Sequence, residues 1–408
     1  MYRTHSTCRA CGYGSHGPSY IKAAAPNRLI EVFDLGVQPL ANDFQSPESD
    51  CAGCAPLRVL HCQQCSLAQL SVTVDPRILY SHYSYVTSPS EMMQVHFRTL
   101  IQDIMSETRS AVRVLEIGSN DGKLLAMLRS QGHEVTGVDP AKNLVEISQS
   151  KGITTHHMLF TCENAAGLDK YDVVIARHVF CHVDDWLDFM NGLQMVSDKN
   201  TLICIETPYL GDLLEKCEFD TIYHEHLSYL PIKAMQALLA RTGFRMHRLI
   251  RYSIHGGAYL WMIVREDCQC LSPFQDVQEN IGLDQWRDFS ARAHSQINAL
   301  DGMVNDLVSK GKRVAGLGAS AKSTVWINAC NFSRRQIGFI ADNTQQKLYK
   351  LSPGTDIPIV DEGAILRELP DYVVLWAWNY RDEILDKFKM ARDKGVKFIV
   401  PVPTIEVV

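Results

Sequence analysis

The spacing of apolar and polar residues divides the chain into three stretches. In "VLHCQQCSLAQLSV", near the start, apolar and polar positions alternate on both sides of a cysteine pair, which predicts a strand, a knuckle and a second strand. From Arg113, "RVLEIGSNDGKLLAMLRSQGHEVTGVDP" reads as a buried strand, a glycine turn, an amphipathic helix ending at Gly132 and a second strand ending at Asp139. "YDVVIARHVFCHVDDW" predicts a fourth strand and a loop, and "TLICIETP" a fifth strand. A long helix is expected over about Asp284 to Lys310. "KRVAGLGASAKSTVWINAC" then repeats the strand, glycine turn and helix. "IGFIADN" ends a strand at Asp342, and "YVVLWAWNY" and "KFIVPVPTIEVV" add apolar strands. Alternating strands and helices of this kind predict an α/β protein with two Rossmann-like units behind a small N-terminal module.

Composition narrows the setting. A chain of 408 residues, 46% hydrophobic and 21% charged, is ordinary for a globular protein of two or three domains. Its net charge of −6 argues against a broad nucleic-acid surface, although a local basic pocket is compatible with it. No apolar run approaches the roughly 18–20 residues of a membrane span. "MYRTHSTCRACG" lacks the apolar core of a signal peptide, so a cytoplasmic location with reduced thiols is expected.

Thirteen cysteines then need an explanation other than disulfides. Six form three C-x-x-C pairs: Cys8/Cys11, Cys51/Cys54 and Cys62/Cys65. Clustered in a segment with a thin apolar core, they point to a structural Zn²⁺ held by four thiolates, with redox C-x-x-C chemistry as the rival reading. The strand–knuckle–strand context favours Cys8, Cys11, Cys62 and Cys65. Cys51 and Cys54 lie in "SPESDCAGCAP", which reads as an inserted loop.

Two glycine turns carry candidate binding chemistry. The first, "EIGSNDG", spans Glu116, Gly118, Ser119, Asn120, Asp121 and Gly122, with Asp139 about 20 residues beyond, where an acid takes ribose hydroxyls. Its E-x-G-x-x-x-G spacing differs from the pyrophosphate fingerprint. An acidic turn suits a cationic, phosphate-free ligand such as S-adenosylmethionine (SAM); the bland alternative is a strand–turn–helix with no ligand. The second turn, through Gly316, Gly318 and Ala321, does fit G-x-G-x-x-A and taken alone would be a fair nicotinamide-cofactor fingerprint. Ala319, Ser320, Lys322 and Ser323 there also suit a diphosphate, unless Lys322 is only a solvated helix residue. His182, in "CHVDD", either faces the ligand crevice or caps a helix beginning at Asp184.

"FDTIYHEHLSYL" places two histidines around a glutamate within an apolar segment. His224 and His226 are two apart, which rules out the zinc-protease H-E-x-x-H. An acid–base site and a buried polar network both remain open on spacing alone. In its whole order of motifs the chain resembles the SAM-dependent sugar C-methyltransferases that act on nucleotide-linked 4-keto deoxysugars. The resemblance runs from "CRACG", "FDLGVQPLANDF" and "HCQQCSLAQL" through "YSYVTSPS", "VLEIGSNDGKLL" and "CHVDDW" to "YHEHLSYL" and "GLGASAKSTVWIN".

The resemblance implies a zinc-binding module over residues 1–75, a class I methyltransferase domain over 76–275 and a Rossmann-like nucleotide-sugar-binding domain over 276–408. It places active-site residues at Tyr85, His182, Tyr223, Glu225 and His226, and zinc on Cys8, Cys11, Cys62 and Cys65. It puts SAM on the Glu116–Gly122 turn and Asp139, and the diphosphate near Ala319–Ser323. It further implies ring carbon 3 as the acceptor, a dTDP carrier and a monomer. Cys181 stands where a small residue is commoner. In chemical terms, His226 is the candidate base, Glu225 orients an imidazole or meets a sugar hydroxyl, and the phenol of Tyr223 or Tyr85 faces the enolate oxygen. Tyr223 would share a face with His226 if this segment is helical. Rival readings are an O- or N-methyltransferase acting on a nucleotide sugar and a non-catalytic SAM- or NAD-binding scaffold.

Overall fold

The computed structural model describes residues 1–13, 29–48, 53–80, 91–108, 112–269, 271–272, 274 and 277–408. Its centre is a seven-stranded sheet in the order Phe244–Tyr252, Ala258–Arg265, Leu202–Pro208, Val173–Arg177, Arg113–Ile117, Glu134–Asp139, Thr154–His157. The last five run parallel, and Ala258–Arg265 is antiparallel to both its neighbours. Four of the five residues of "RVLEI" are buried, as expected for a parallel strand covered on both faces. Strand order reverses between Arg113–Ile117 and Val173–Arg177, so a ligand crevice lies at their carboxyl ends.

A second sheet orders Ile359–Asp361, Ile340–Asp342, Val314–Leu317, Tyr372–Leu375 and Lys397–Val400 in parallel, with Glu406–Val407 antiparallel at the edge. Helix Leu283–Ser309 leads into it. Its buried stripe of Trp286, Phe289, Ala293, Ile297, Leu300 and Val304 keeps the three-to-four spacing of one helix face.

The N-terminal module joins Leu29–Pro39, Cys54–Cys62 and Ala68–Leu70 in an antiparallel sheet whose outer strand, Ser228–Tyr229, comes from far along the chain. The module therefore does not close on its own residues. One apolar core contains Phe33, Leu57 and Leu70 of this sheet, Phe219 and Leu227 of the crossing segment, Phe289 of the long helix, and Trp326. Trp326, on helix Ala321–Ala329, packs edge-on against Phe219 at 4.3 Å and donates its indole N–H to Asp220 at 3.0 Å.

Because the core is shared, Trp326→Ala is expected to destabilise more than its own unit. It removes a fully buried ring, at about 3–5 kcal/mol, and leaves Asp220 with one donor fewer. Urea unfolding should show one transition moved to lower denaturant. Two separated transitions, or a loss under about 1 kcal/mol, would contradict a common core.

Candidate active site

At the switch point, strand Arg113–Ile117 runs into Gly118 (φ 69), Asn120 (φ 50) and Gly122 (φ 73). Val179 occupies the place of a Cβ on Gly118, and Ser148 that of one on Gly122, so the turn needs glycine at both. The Asp139 carboxylate accepts the Asn120 N–H and the Ala141 N–H, each at 2.8 Å, and so fixes the turn. Burial lifts the Asp139 carboxyl above its ordinary value. Burial also raises Glu116 to about 7, against the pull of Arg177, whose Nε lies 3.4 Å from Oε1. Asp121 is paired with Lys151 at 2.6 Å. Glu116 Oε2, Ser119 Oγ and Asp121 Oδ1 are nevertheless buried and have no hydrogen-bond partner among the described residues. Unmet acceptors of this kind are costly, and a ligand bringing ammonium and hydroxyl donors relieves them. The turn therefore fits SAM.

Beyond strand Val173–Arg177, His178 has φ 49, an uncommon backbone state for a residue other than glycine. A 3-10 turn, Phe180–His182, follows. His182 does not cap the next helix. That helix starts at Trp186, and the Asp185 carboxylate accepts the Asp188 N–H at 3.0 Å. The side chain of His182 instead hydrogen-bonds backbone of Glu225 and His178, and its ring lies 5.1 Å from that of His226. Burial, then His178, lowers the His182 pKa to about 4.

The segment holding the two histidines is not helical. Phe219–Thr221 forms a 3-10 turn, and a second turn of the same span closes where the His226 N–H donates to Tyr223 O at 2.9 Å. Tyr223 and His226 still meet, because this turn folds one over the other: Tyr223 Oη lies 2.8 Å from His226 Nε2. Nδ1 of His226 is 2.8 Å from the Thr221 carbonyl, which can only accept. The proton is therefore on Nδ1, and the phenol donates to a bare Nε2. Burial and then His182 hold the His226 pKa well below the imidazole range.

His224 points the other way, donating to the Ala55 carbonyl at 3.1 Å, and ties the segment to the N-terminal sheet. Among the described residues, Glu225 contacts no imidazole through its carboxylate. That carboxylate accepts from Asn42 Nδ2 at 2.6 Å, and burial raises its pKa to about 7. Tyr85 lies outside the described residues.

The second glycine turn is largely occupied by its own groups. Ser320 Oγ accepts the Ser323 N–H at 3.2 Å, while Ser323 Oγ accepts the Ser320 N–H at 2.9 Å and donates to Ser320 O at 2.6 Å. The Ala319 N–H donates to Asp342 at 2.7 Å. Three of the N–H groups expected to cradle a diphosphate are thus already engaged, one of them by a carboxylate. Lys322 is not a solvated helix residue. Its Nζ sits 3.8 Å from the centre of the Trp378 ring, and its charge acts on Glu218, Asp220 and His226. Lys347 Nζ donates to Ala319 O at 2.7 Å, and its charge acts on Glu225. Two lysines of the C-terminal unit thus converge on the Tyr223–His226 turn.

Several of these residues escaped the sequence reading. Buried Glu206 lies 2.7 Å from His96 Nε2 and 3.6 Å from His178 Nε2. Burial alone would raise its carboxyl, yet the two histidines hold it well below the carboxylate range. An acid closing the apolar strand "LICIETP" was the available signal. Asn42 and Lys347 had none.

The sulfurs of Cys8, Cys11, Cys62 and Cys65 all lie within 4.8 Å of one another, with Cys8–Cys65 at 3.5 Å and Cys11–Cys62 at 3.7 Å. Tetrahedral zinc with Zn–S bonds of about 2.3 Å needs sulfurs about 3.8 Å apart, so the group fits the ion. Cys54 is exposed on strand Cys54–Cys62, outside this cluster, and Cys51 is outside the described residues. Among the described residues no helix is long and apolar enough to cross a membrane.

Three family profiles match successive stretches: a zinc binding domain over residues 25–80, a methyltransferase domain over 91–249 and a C-methyltransferase C-terminal domain over 253–403. C-methyltransferase NovU of Streptomyces niveus is 32% identical over 430 aligned positions, covering 100% of this chain and 98% of its own length. A ubiquinone biosynthesis O-methyltransferase of Rickettsia typhi is 29% identical over 102 residues, 24% of this chain and 42% of that protein. The solved structure of magnesium protoporphyrin IX methyltransferase from Synechocystis, with SAM bound, is 17% identical over 42% of this chain and 79% of its own, with a TM-score of 0.34. The end-to-end match to a C-methyltransferase sets aside the O- or N-methyltransferase and non-catalytic alternatives. The chain belongs to this C-methyltransferase family, and it is a SAM-dependent C-methyltransferase with a zinc-binding domain.

Proposed function

We propose that this enzyme methylates a ring carbon, C3, next to the 4-keto group of a nucleotide-linked deoxysugar, with dTDP as the carrier and His226 as the base. One observation carries the reading. A neutral imidazole with its lone pair on Nε2 stands against His182, on the loop past the strand that borders the crevice, under the charge of Lys322, while Lys347 acts on neighbouring Glu225. The full-length relative is named as a C-methyltransferase, and carbon methylation next to a ketone requires such a base.

In this mechanism His226 Nε2 takes the proton from the sugar carbon. The C–H electron pair forms a carbon–carbon double bond, and the carbonyl oxygen takes the negative charge. The Thr221 carbonyl, holding Nδ1–H, stabilises the imidazolium that results. The Tyr223 phenol, which donates to Nε2 here, transfers its hydrogen bond to the developing oxyanion; Tyr85 is the alternative donor. His182 stays neutral and fixes the Glu225 backbone. Glu225, with a pKa raised to about 7, meets a sugar hydroxyl. Glu116, Ser119, Asp121 and Asp139 would hold the cofactor, which would supply a sulfonium methyl to that carbon: the enolate restores its carbonyl as its carbon–carbon double-bond pair forms the new bond to the methyl, and the S–CH3 pair leaves on the neutral thioether.

The nucleotide diphosphate is taken by Lys322 and Lys347, with residues Ala319–Ser323 forming the wall beside them. Zinc sits on Cys8, Cys11, Cys62 and Cys65, where four thiolates leave no open position for chemistry. We assign the zinc module to 1–75, the methyltransferase unit to 76–275 and the nucleotide-sugar unit to 276–408, working as a monomer.

Incubation with SAM and a dTDP-4-keto-6-deoxyhexose is expected to add one methyl group at C3, read by mass spectrometry and NMR. A methyl on oxygen or nitrogen, or none on several 4-keto sugars despite SAM binding, would contradict the substrate class. The pH profile follows from His226. Protonation removes its lone pair, so kcat/KM falls with falling pH. Its lowered pKa moves that fall below the ordinary imidazole value of about 6.5. A midpoint above about 6.5 would assign the base elsewhere.

A further inference from the structure

Arg9 stands between the first two cysteines of the four-thiol cluster, and its side chain is only 3% exposed. It reaches into the methyltransferase unit. Nη2 donates to Asp184 Oδ1 at 3.0 Å and to Thr73 Oγ1 at 2.8 Å, and Nη1 donates to the Leu227 carbonyl at 3.4 Å. Asp184 is two residues past His182, and Leu227 directly follows His226. A single guanidinium thus bridges the loops that carry the two histidines.

The surrounding contacts tighten the same joint. The Leu227 N–H donates to Cys181 O at 2.8 Å, and Thr73 Oγ1 donates to Asp184 at 2.7 Å. Arg3 and His5 also pair with Asp184. On the knuckle side, the Arg9 N–H donates to Gln69 Oε1 at 3.0 Å, and Arg241 donates to Ala10 O. With Cys8 and Cys11 bound to one ion, the Arg9 backbone has little freedom.

We propose that Arg9 is a positioning residue through which the zinc knuckle sets the distance between the His182 and His226 loops. The guanidinium is suited to this because its planar fork offers donors in two directions at once, which an ammonium on a flexible stem does not. The module then does more than stabilise itself: it holds the two imidazoles in register. The effect on rate rests on the reading of His226 as base, while the clamp between loops does not.

Two variants test this. Arg9→Met keeps the apolar stem and removes the donors, and Asp184→Leu removes the acceptor at the other end of the same bridge. Both are expected to keep one zinc per chain and to bind SAM within about two-fold of wild type. Hydrogen–deuterium exchange should quicken about ten-fold over residues 178–186 and 221–230 and stay unchanged over 113–122. The kcat should fall about 10–100-fold, the scale expected of a misplacement near 1 Å, with KM little changed. The double variant should lose no more than either single one. Wild-type exchange in both loops for Asp184→Leu would overturn the proposal. So would loosening confined to the module with loss of zinc in Arg9→Met. Loosened loops with an unchanged kcat would support the clamp and instead overturn the base assignment.

Discussion

The site depends on how one short segment, Phe219–Leu230, is gripped from three sides. The N-terminal sheet takes Ser228 and Tyr229 as its edge strand and holds His224 through Ala55 O. The methyltransferase unit holds Leu227 through Cys181 O. The C-terminal unit holds Asp220 through two indole N–H donors, Trp326 at 3.0 Å and Trp378 at 2.7 Å, on the same oxygen. A buried carboxylate with two such donors is strongly placed, and losing either leaves an under-satisfied charge. Thr221 follows directly, and its carbonyl sets the tautomer of His226. His226 is thus positioned by all three units, which share one apolar core.

Burial provides the electrostatics. Burial and then His178 disfavour a charge on His182, and burial, then His182, His178 and Lys322, disfavour one on His226. Both stay neutral where a free imidazole would begin to titrate. The same enclosure raises Glu116 and Glu225 to about 7. A buried imidazole kept neutral in this way has a lone pair available to accept a proton from a weak carbon acid.

Much of this was legible in the sequence because apolar period encodes strands and helices directly. "VLEIG", "VVIA" and "LICIE" fell where the strands lie, and the stripe from Trp286 to Val304 marked the long helix. The clustering of C-x-x-C pairs pointed to the four sulfurs that the fold brings together. Other features carried no local signal. Ser228–Tyr229 is too short to show a period, and its pairing is decided by a sheet built far earlier in the chain. Asp185 and His182 compete for one helix start, and a carboxylate at N-cap accepts an N–H better than an imidazole. Ser320 and Ser323 read as phosphate ligands but satisfy each other across the first turn. Lys347 and Asn42 enter the site only through long-range packing.

The proposed mechanism stands or falls on whether His226 removes a proton from the sugar carbon. It is tested most directly by incubating the 4-keto nucleotide sugar with enzyme and S-adenosylhomocysteine in D₂O and following the C3 proton by NMR. The wild-type enzyme is expected to exchange the C3 proton and His226→Asn to show none above background, although both bind the sugar. Equal exchange in the two proteins, or none in the wild type with sugar bound, would contradict it.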